Sequence, residues 1–149
     1  MSTAVNQAQP FTLPILLVED NPVDIDLTCR AFARSQMNNP IAVARDGEEA
    51  LGCIARWEQG QEPPPSLILL DINLPRVNGI EVLRHLKSHP RYRRIPVVVL
   101  TSSSEDRDLR DAYSLGVNSF IVKPVDFDRF VEAAGQIERY WCELNQHPL

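Results

Sequence analysis

Five short apolar runs constrain this chain more than any other feature: Ile15–Val18, Ile41–Ala44, Leu67–Leu70, Val97–Leu100 and Ser119–Val122. Each is short enough for a strand. Those rich in Val, Ile and Leu at successive positions predict strands buried on both faces, as in a parallel sheet. Stretches of helical spacing separate them. Strand–helix alternation of this kind predicts an α/β fold, a parallel sheet with helices on both faces.

The intervening helices carry start signals. Asn21 before Pro22 is an N-cap followed by proline at the first helical position. Asp46 and Glu49 have the spacing of a capping box. Ser103 or Ser104 can cap the next helix, where Glu105, Asp106 and Asp108 suit the positive end of the dipole. Asp126 caps the last helix, in which Phe127, Phe130, Val131, Ala134, Ile137, Trp141 and Leu144 fall at helical spacing. The stretch QGQEPPPS at 59–66 is a loop, because consecutive prolines cannot continue a helix.

The length, 149 residues, fits one domain with a sizeable core. We expect a loose tail at 1–11, one domain at 12–145, a short tail at 146–149 and no output domain. The formal net charge of −5 argues against a sequence-independent nucleic-acid binder, which needs a basic footprint. No apolar run is long enough to span a bilayer, and the N-terminus lacks the pattern of a secretory signal. Cys29, Cys53 and Cys142 lack metal-type spacing and read as free thiols of a cytoplasmic protein. His85, His89 and His147 have no evident partners and read as surface residues.

Polar residues collect where the strands end. Glu19 and Asp20 follow the first strand, Asp71 the third, Thr101 the fourth and Lys123 the fifth. These ends share the carboxyl edge of a parallel sheet, where ligands bind at the switch in strand order. With strand order 2-1-3-4-5, Asp20 and Asp71 face each other. The bland reading of a strand-end acid is a helix cap or a solvated charge, but Asn21 and Pro22 already start the helix. Three neighbouring carboxylates repel unless a cation joins them. A hard divalent ion with oxygen ligands, best fitted by Mg²⁺ with Mn²⁺ as a substitute, resolves this. A carboxylate nucleophile, a cation, the Lys123 ammonium and the Thr101 hydroxyl form a phosphoryl-transfer set. The carboxylate of Asp71 is expected to emerge unburied from the platform Leu67–Leu70, with Pro75 and Gly79 shaping the loop beyond it.

The pieces LLVEDNPVD, LILLDINLPRVNGIEVL, IPVVVLTSS and NSFIVKP together resemble the receiver domain of two-component response regulators. That resemblance implies a flavodoxin-like (βα)5 fold with sheet order 2-1-3-4-5. It implies Asp71 as the phosphoacceptor, Glu19 and Asp20 as the acidic pair, and Asn73 as a metal ligand through its backbone carbonyl. Thr101 and Lys123 match the residues that hold the phosphoryl group, and Phe120 matches the aromatic switch position. The Lys123–Pro124 bond matches one that is cis in the family. A signalling protein rather than an enzyme is implied, with self-catalysed phosphotransfer and autodephosphorylation. The stretches EDNPVD and VARDGEEAL, the loop at 59–66 and the ending IERYWCEL resemble single-domain regulators paired with bacterial phytochrome kinases. A sensor histidine kinase of that type is therefore the expected partner, with neither nucleic acid nor a membrane involved.

The rival reading is a small phosphatase of the haloacid dehalogenase type. Such enzymes need a second aspartate two residues after the nucleophile, and this chain has Asn73 there. No glycine pattern of a nucleotide-binding loop is present. Tyr140 and Trp141 near the chain end predict a homodimer through the face of the fourth helix, fifth strand and fifth helix.

Overall fold

The computed structural model describes residues 13–34, 39–72, 74, 77–101, 106–123 and 126–144. Along them run β1 (Ile15–Val18), α1 (Pro22–Arg34), β2 (Ile41–Ala44), α2 (Gly47–Glu58), β3 (Leu67–Leu70), α3 (Gly79–Ser88), β4 (Val97–Thr101), α4 (Asp106–Ser114), β5 (Ser119–Val122) and α5 (Phe127–Glu138). A 3-10 turn at Tyr92–Arg94 precedes β4, and a π-helical stretch, Arg139–Leu144, prolongs α5. All strand pairs are parallel and the order is β2-β1-β3-β4-β5. This is the doubly wound, flavodoxin-like (βα)5 arrangement expected, with β4 one residue longer than its apolar run.

Alternation along the strands divides the core in two. Leu16, Val18, Ile68, Leu70, Val97 and Val99 face α2 and α3, meeting Ile54, Trp57, Leu83 and Leu86. Ile15, Leu17, Leu67, Leu69, Val98 and Leu100 face α1 and α5, meeting Phe32, Phe130, Ala134 and Ile137. Both faces of β1 and β3 are buried, which is why their sequences are uninterrupted apolar runs. At about 1.5–3 kcal/mol for each fully buried large aliphatic side chain, this sheet is the main stabilising element.

The starts of α1, α2 and α5 follow the predicted caps with one change. The Asn21 side chain accepts from the backbone N–H of Val23 at 2.9 Å and of Asp24 at 3.4 Å. Asp46 accepts from the Glu49 N–H at 2.8 Å, but Glu49 returns its carboxylate to the N–H of Arg45 rather than of Asp46. Asp126 accepts from the N–H of Asp128 at 2.9 Å. The caps Ser103, Ser104 and Glu105, the Lys123–Pro124 bond, Pro75, His147 and the expected tails at 1–11 and 146–149 lie outside the described residues.

One expectation about side chains is corrected. His89 is not a partnerless surface residue. Its Nε2 lies 3.1 Å from a Glu58 carboxylate oxygen, and its Nδ1 accepts from the N–H groups of Arg91 and Tyr92 at 3.0 and 3.1 Å. Its ring stacks on Tyr92 at 4.3 Å, and Tyr92 meets the edge of Trp57 at 5.3 Å, so this cluster clips α2 to the segment after α3. Trp141 packs against the second core, while Tyr140 stays 52% exposed. Of the pair Tyr140 and Trp141, one ring is therefore exposed and the other partly buried.

Candidate functional site

Strand register brings the acids together. Val18 pairs with Leu70 and with Ala44, so the residues after Val18 and Leu70 leave the sheet side by side. The ladder also continues one step past each strand. The N–H of Glu19 donates to Ala44 and the N–H of Asp71 donates to Val18, both at 3.0 Å. These bonds fix two carboxylates on rigid backbone rather than on a loop. Carboxylate oxygens of Glu19, Asp20 and Asp71 all lie within 4.8 Å of one another.

Asp71 is buried at 7% exposure, and Glu19 at 2%, whereas Asp20 is exposed. The expectation that Asp71 emerges unburied is therefore wrong. The tight start of α3 is part of the reason. A Cβ on Gly79 would strike the Asp71 carbonyl oxygen and the Ile72 Cα, so only glycine lets the α3 start lie against the end of β3. The Gly79 N–H also bonds the Ile72 carbonyl at 3.0 Å. Gly47 plays a similar part at the start of α2, where a Cβ would strike Val77.

Lys123 reaches into this cluster from the end of β5, with its side chain only 9% exposed. Its Nζ donates to Glu19 Oε1 and, at 3.1 Å, to Asp24 Oδ2. Asp71 Oδ2 lies 3.7 Å away. The other Glu19 oxygen accepts from the Asn21 N–H at 3.3 Å. Lys123 is thus a fixed charge partner, as expected, and Asp24 is an additional one that the sequence reading did not select.

The titration behaviour follows from this crowding. Burial pushes the Glu19 carboxyl up to about 7; the Lys123 hydrogen bond opposes this and the nearby Asp71 charge adds to it. Burial pulls Lys123 down, but the hydrogen bond and charge of Glu19, the Asp24 hydrogen bond and the Asp71 charge outweigh it, leaving Lys123 raised. The Glu19 shift is thus chiefly burial, whereas the Lys123 shift reports an imbalance in which carboxylates outnumber the ammonium. A divalent cation corrects such an imbalance. The donor set is entirely carboxylate oxygen, which suits a hard ion of the Mg²⁺ or Mn²⁺ kind.

Of the other expected site residues, Thr101 closes β4 and pairs in register with Val122, which precedes Lys123. That places its backbone at the same edge. Phe120, on β5, is partly buried and packs against the first core. Asn73 lies outside the described residues.

A parallel 2-1-3-4-5 sheet whose carboxyl edge gathers an acidic trio and a buried lysine defines a class: the phosphoacceptor modules of two-component signalling. The chain belongs to the response regulator receiver domain family, whose model matches residues 15–135. It is 45% identical over 134 residues to a probable methanogenesis regulatory protein, FilR2, of Methanothrix harundinacea, covering 90% of this chain and 86% of that one. The response regulator Rcp1 of Synechocystis sp. is 38% identical over 130 residues, covering 87% of this chain and 88% of its own. The Mn²⁺-bound form of Rcp1 superposes with a TM-score of 0.80 at 36% identity, over 92% of this chain and 99% of that one. The phosphorylated cyanobacterial phytochrome response regulator RcpA superposes with a TM-score of 0.85 at 38% identity, over 92% and 99% of the two chains. Family membership displaces the phosphatase alternative.

Proposed function

We propose that Asp71 accepts a phosphoryl group from the phosphohistidine of a sensor histidine kinase. The observation that carries this is the meeting of the Asp71 carboxylate with Glu19, Asp20 and Lys123 at one sheet edge. An Asp71 oxygen attacks phosphorus in line, the P–N bond to the donor imidazole breaks, and an acyl phosphate forms. Glu19, Asp20, Asp71 and the Asn73 carbonyl are the residues that would hold Mg²⁺. The ion, when bound, supplies positive charge against the phosphoryl oxygens.

Lys123 pairs with a phosphoryl oxygen, and the Thr101 hydroxyl donates to another. Drawing Thr101 toward the acyl phosphate opens space into which Phe120 turns, a shift between two populations of the α4–β5–α5 face. Phe120 has no hydroxyl, so its switch acts through ring packing. Hydrolysis of the acyl phosphate by water at the same site ends the signal.

The partner is a kinase of the phytochrome type. Support comes from the likeness to RcpA, described as a cyanobacterial phytochrome response regulator. The protein works in the cytoplasm; among the described residues no helix is long and apolar enough to cross a membrane. The α4–β5–α5 face serves as a homodimer surface, and it exposes Tyr113, Val122 and Tyr140.

Phosphotransfer tests the partner. Phytochrome-type kinases carrying labelled phosphoryl groups should pass the label to the wild-type chain within the fastest time points and leave Asp71→Asn unlabelled. Faster transfer from kinases of other sensor types would overturn the phytochrome assignment.

A further inference from the structure

Lys123 is held from α1 as well as from β1. Its Nζ donates to Asp24 Oδ2 at 3.1 Å and also to Glu19, while Asp71 Oδ2 stands 3.7 Å away. An ammonium has three N–H donors in fixed tetrahedral directions and no acceptor. With two donors committed, the direction of the third is set, and among the described residues Asp71 is the remaining carboxylate within reach. The Lys123 side chain is 9% exposed and that of Asp24 32%, so this ion pair is shielded from water on the lysine side. Hydrogen bonds at such a position are stronger than their surface counterparts.

Asp24 supplies something that Glu19 does not. Glu19 belongs to the acidic trio, so a cation bound there draws on the same carboxylate that holds Lys123. Asp24 is not one of the trio, and its grip does not compete with a cation. It is also rigidly placed. Its N–H is capped by the Asn21 side chain at 3.4 Å, and the Asn21 N–H bonds Glu19 at 3.3 Å. The first turn of α1, the acidic trio and Lys123 thus form one hydrogen-bonded unit.

We propose that Asp24 is a positioning residue, which orients the Lys123 ammonium so that one N–H faces the phosphoryl group on Asp71. This rests on the reading of Asp71 as the phosphoacceptor.

The test uses the full chain with Mg²⁺ and acetyl phosphate, a donor with no protein surface, so contacts between α1 and a kinase do not enter. Asp24→Ala should lower the phosphorylation rate constant about tenfold, the scale seen when residues that orient a site's own ligands are removed. Asp24→Asn keeps an oxygen acceptor toward Lys123 and should stay within about threefold of wild type. In a Lys123→Ala background, Asp24→Ala should cost nothing further, because the group it orients is gone. The proposal is overturned by any of three results: Asp24→Ala matching wild type, an equal loss in the Lys123→Ala background, or an equal loss in Asp24→Asn. Those results leave the phosphoacceptor reading intact if wild type is labelled on Asp71. A wild-type chain that takes no label there brings down both.

Discussion

Glu19 shows how a single residue records the design of the site. Its carboxyl sits near 7 instead of the ordinary 4.5, chiefly because it is buried. A raised carboxyl binds its proton more tightly in the folded chain than in the unfolded one. The stability this contributes is complete below the unfolded value and is lost as pH rises through about 7. A metal ion at the trio must displace that proton whenever pH lies below the raised value. Mg²⁺ binding should therefore release close to one proton at about pH 6 and almost none at about pH 8.5, with affinity falling about tenfold per unit below 7. Calorimetry in buffers of different ionisation enthalpy measures the released proton directly. An affinity that stays flat across that range would contradict the assignment of Glu19.

Other residues of the site differ in how much the sequence revealed. Glu19, Asp20, Asp71 and Lys123 were legible because they stand within two residues of the end of an apolar run, and a parallel sheet puts all such ends on one edge. Asp24 was not, because an acid in the first turn of a helix already has a local explanation in the dipole. Its partner Lys123 is 99 residues away. His89 was missed for the same reason, its carboxylate partner Glu58 being 31 residues distant. The burial of Asp71 was also misjudged. Strand-end position says where a carboxylate points along the sheet, but not how closely the next helix closes over it.

At the scale of elements, β1 and β3 were readable to the residue because both their faces are buried and no polar position interrupts them, while the edge strands β2 and β5 are only partly buried. The starts of α1, α2 and α5 were readable from their caps, except that the Glu49 side chain bonds one residue earlier than a capping box requires, while the Asn78 cap of α3 was not read. The approach of α3 to β3 depends on Gly79, where an added methyl group would collide with backbone at Asp71 and Ile72. Backbone cannot swing aside as a flexible side chain can. Gly79→Ala should destabilise the fold by about 1–3 kcal/mol, the usual cost of overpacking. It should also slow phosphorylation, since the atoms displaced carry Asp71. Chemical denaturation together with acetyl phosphate kinetics checks both, and an unchanged midpoint would refute the close approach.

For the whole molecule, the two-sided core leaves β5 at one edge of the sheet, flanked by α4 and α5. Tyr113 on α4, Val122 on β5 and Tyr140 on the π-helical stretch that prolongs α5 are about half exposed, at 51%, 46% and 52%. Exposed apolar residues on the elements at a sheet edge favour association. Sedimentation at micromolar concentration, with and without beryllofluoride as a phosphoryl mimic, should show a dimer that Tyr140→Glu weakens. A monomer in both conditions would remove the homodimer from the account.

The central claim is that Asp71 is the residue that receives the phosphoryl group. Its most direct test is acetyl phosphate and Mg²⁺ on the wild-type chain and on Asp71→Asn, followed by borohydride trapping of the acyl phosphate and peptide mass mapping. The account predicts the trapped product at Asp71 in the wild type, dependent on Mg²⁺ and absent from Asp71→Asn. Undiminished acid-stable or acid-labile phosphorylation of Asp71→Asn would contradict it.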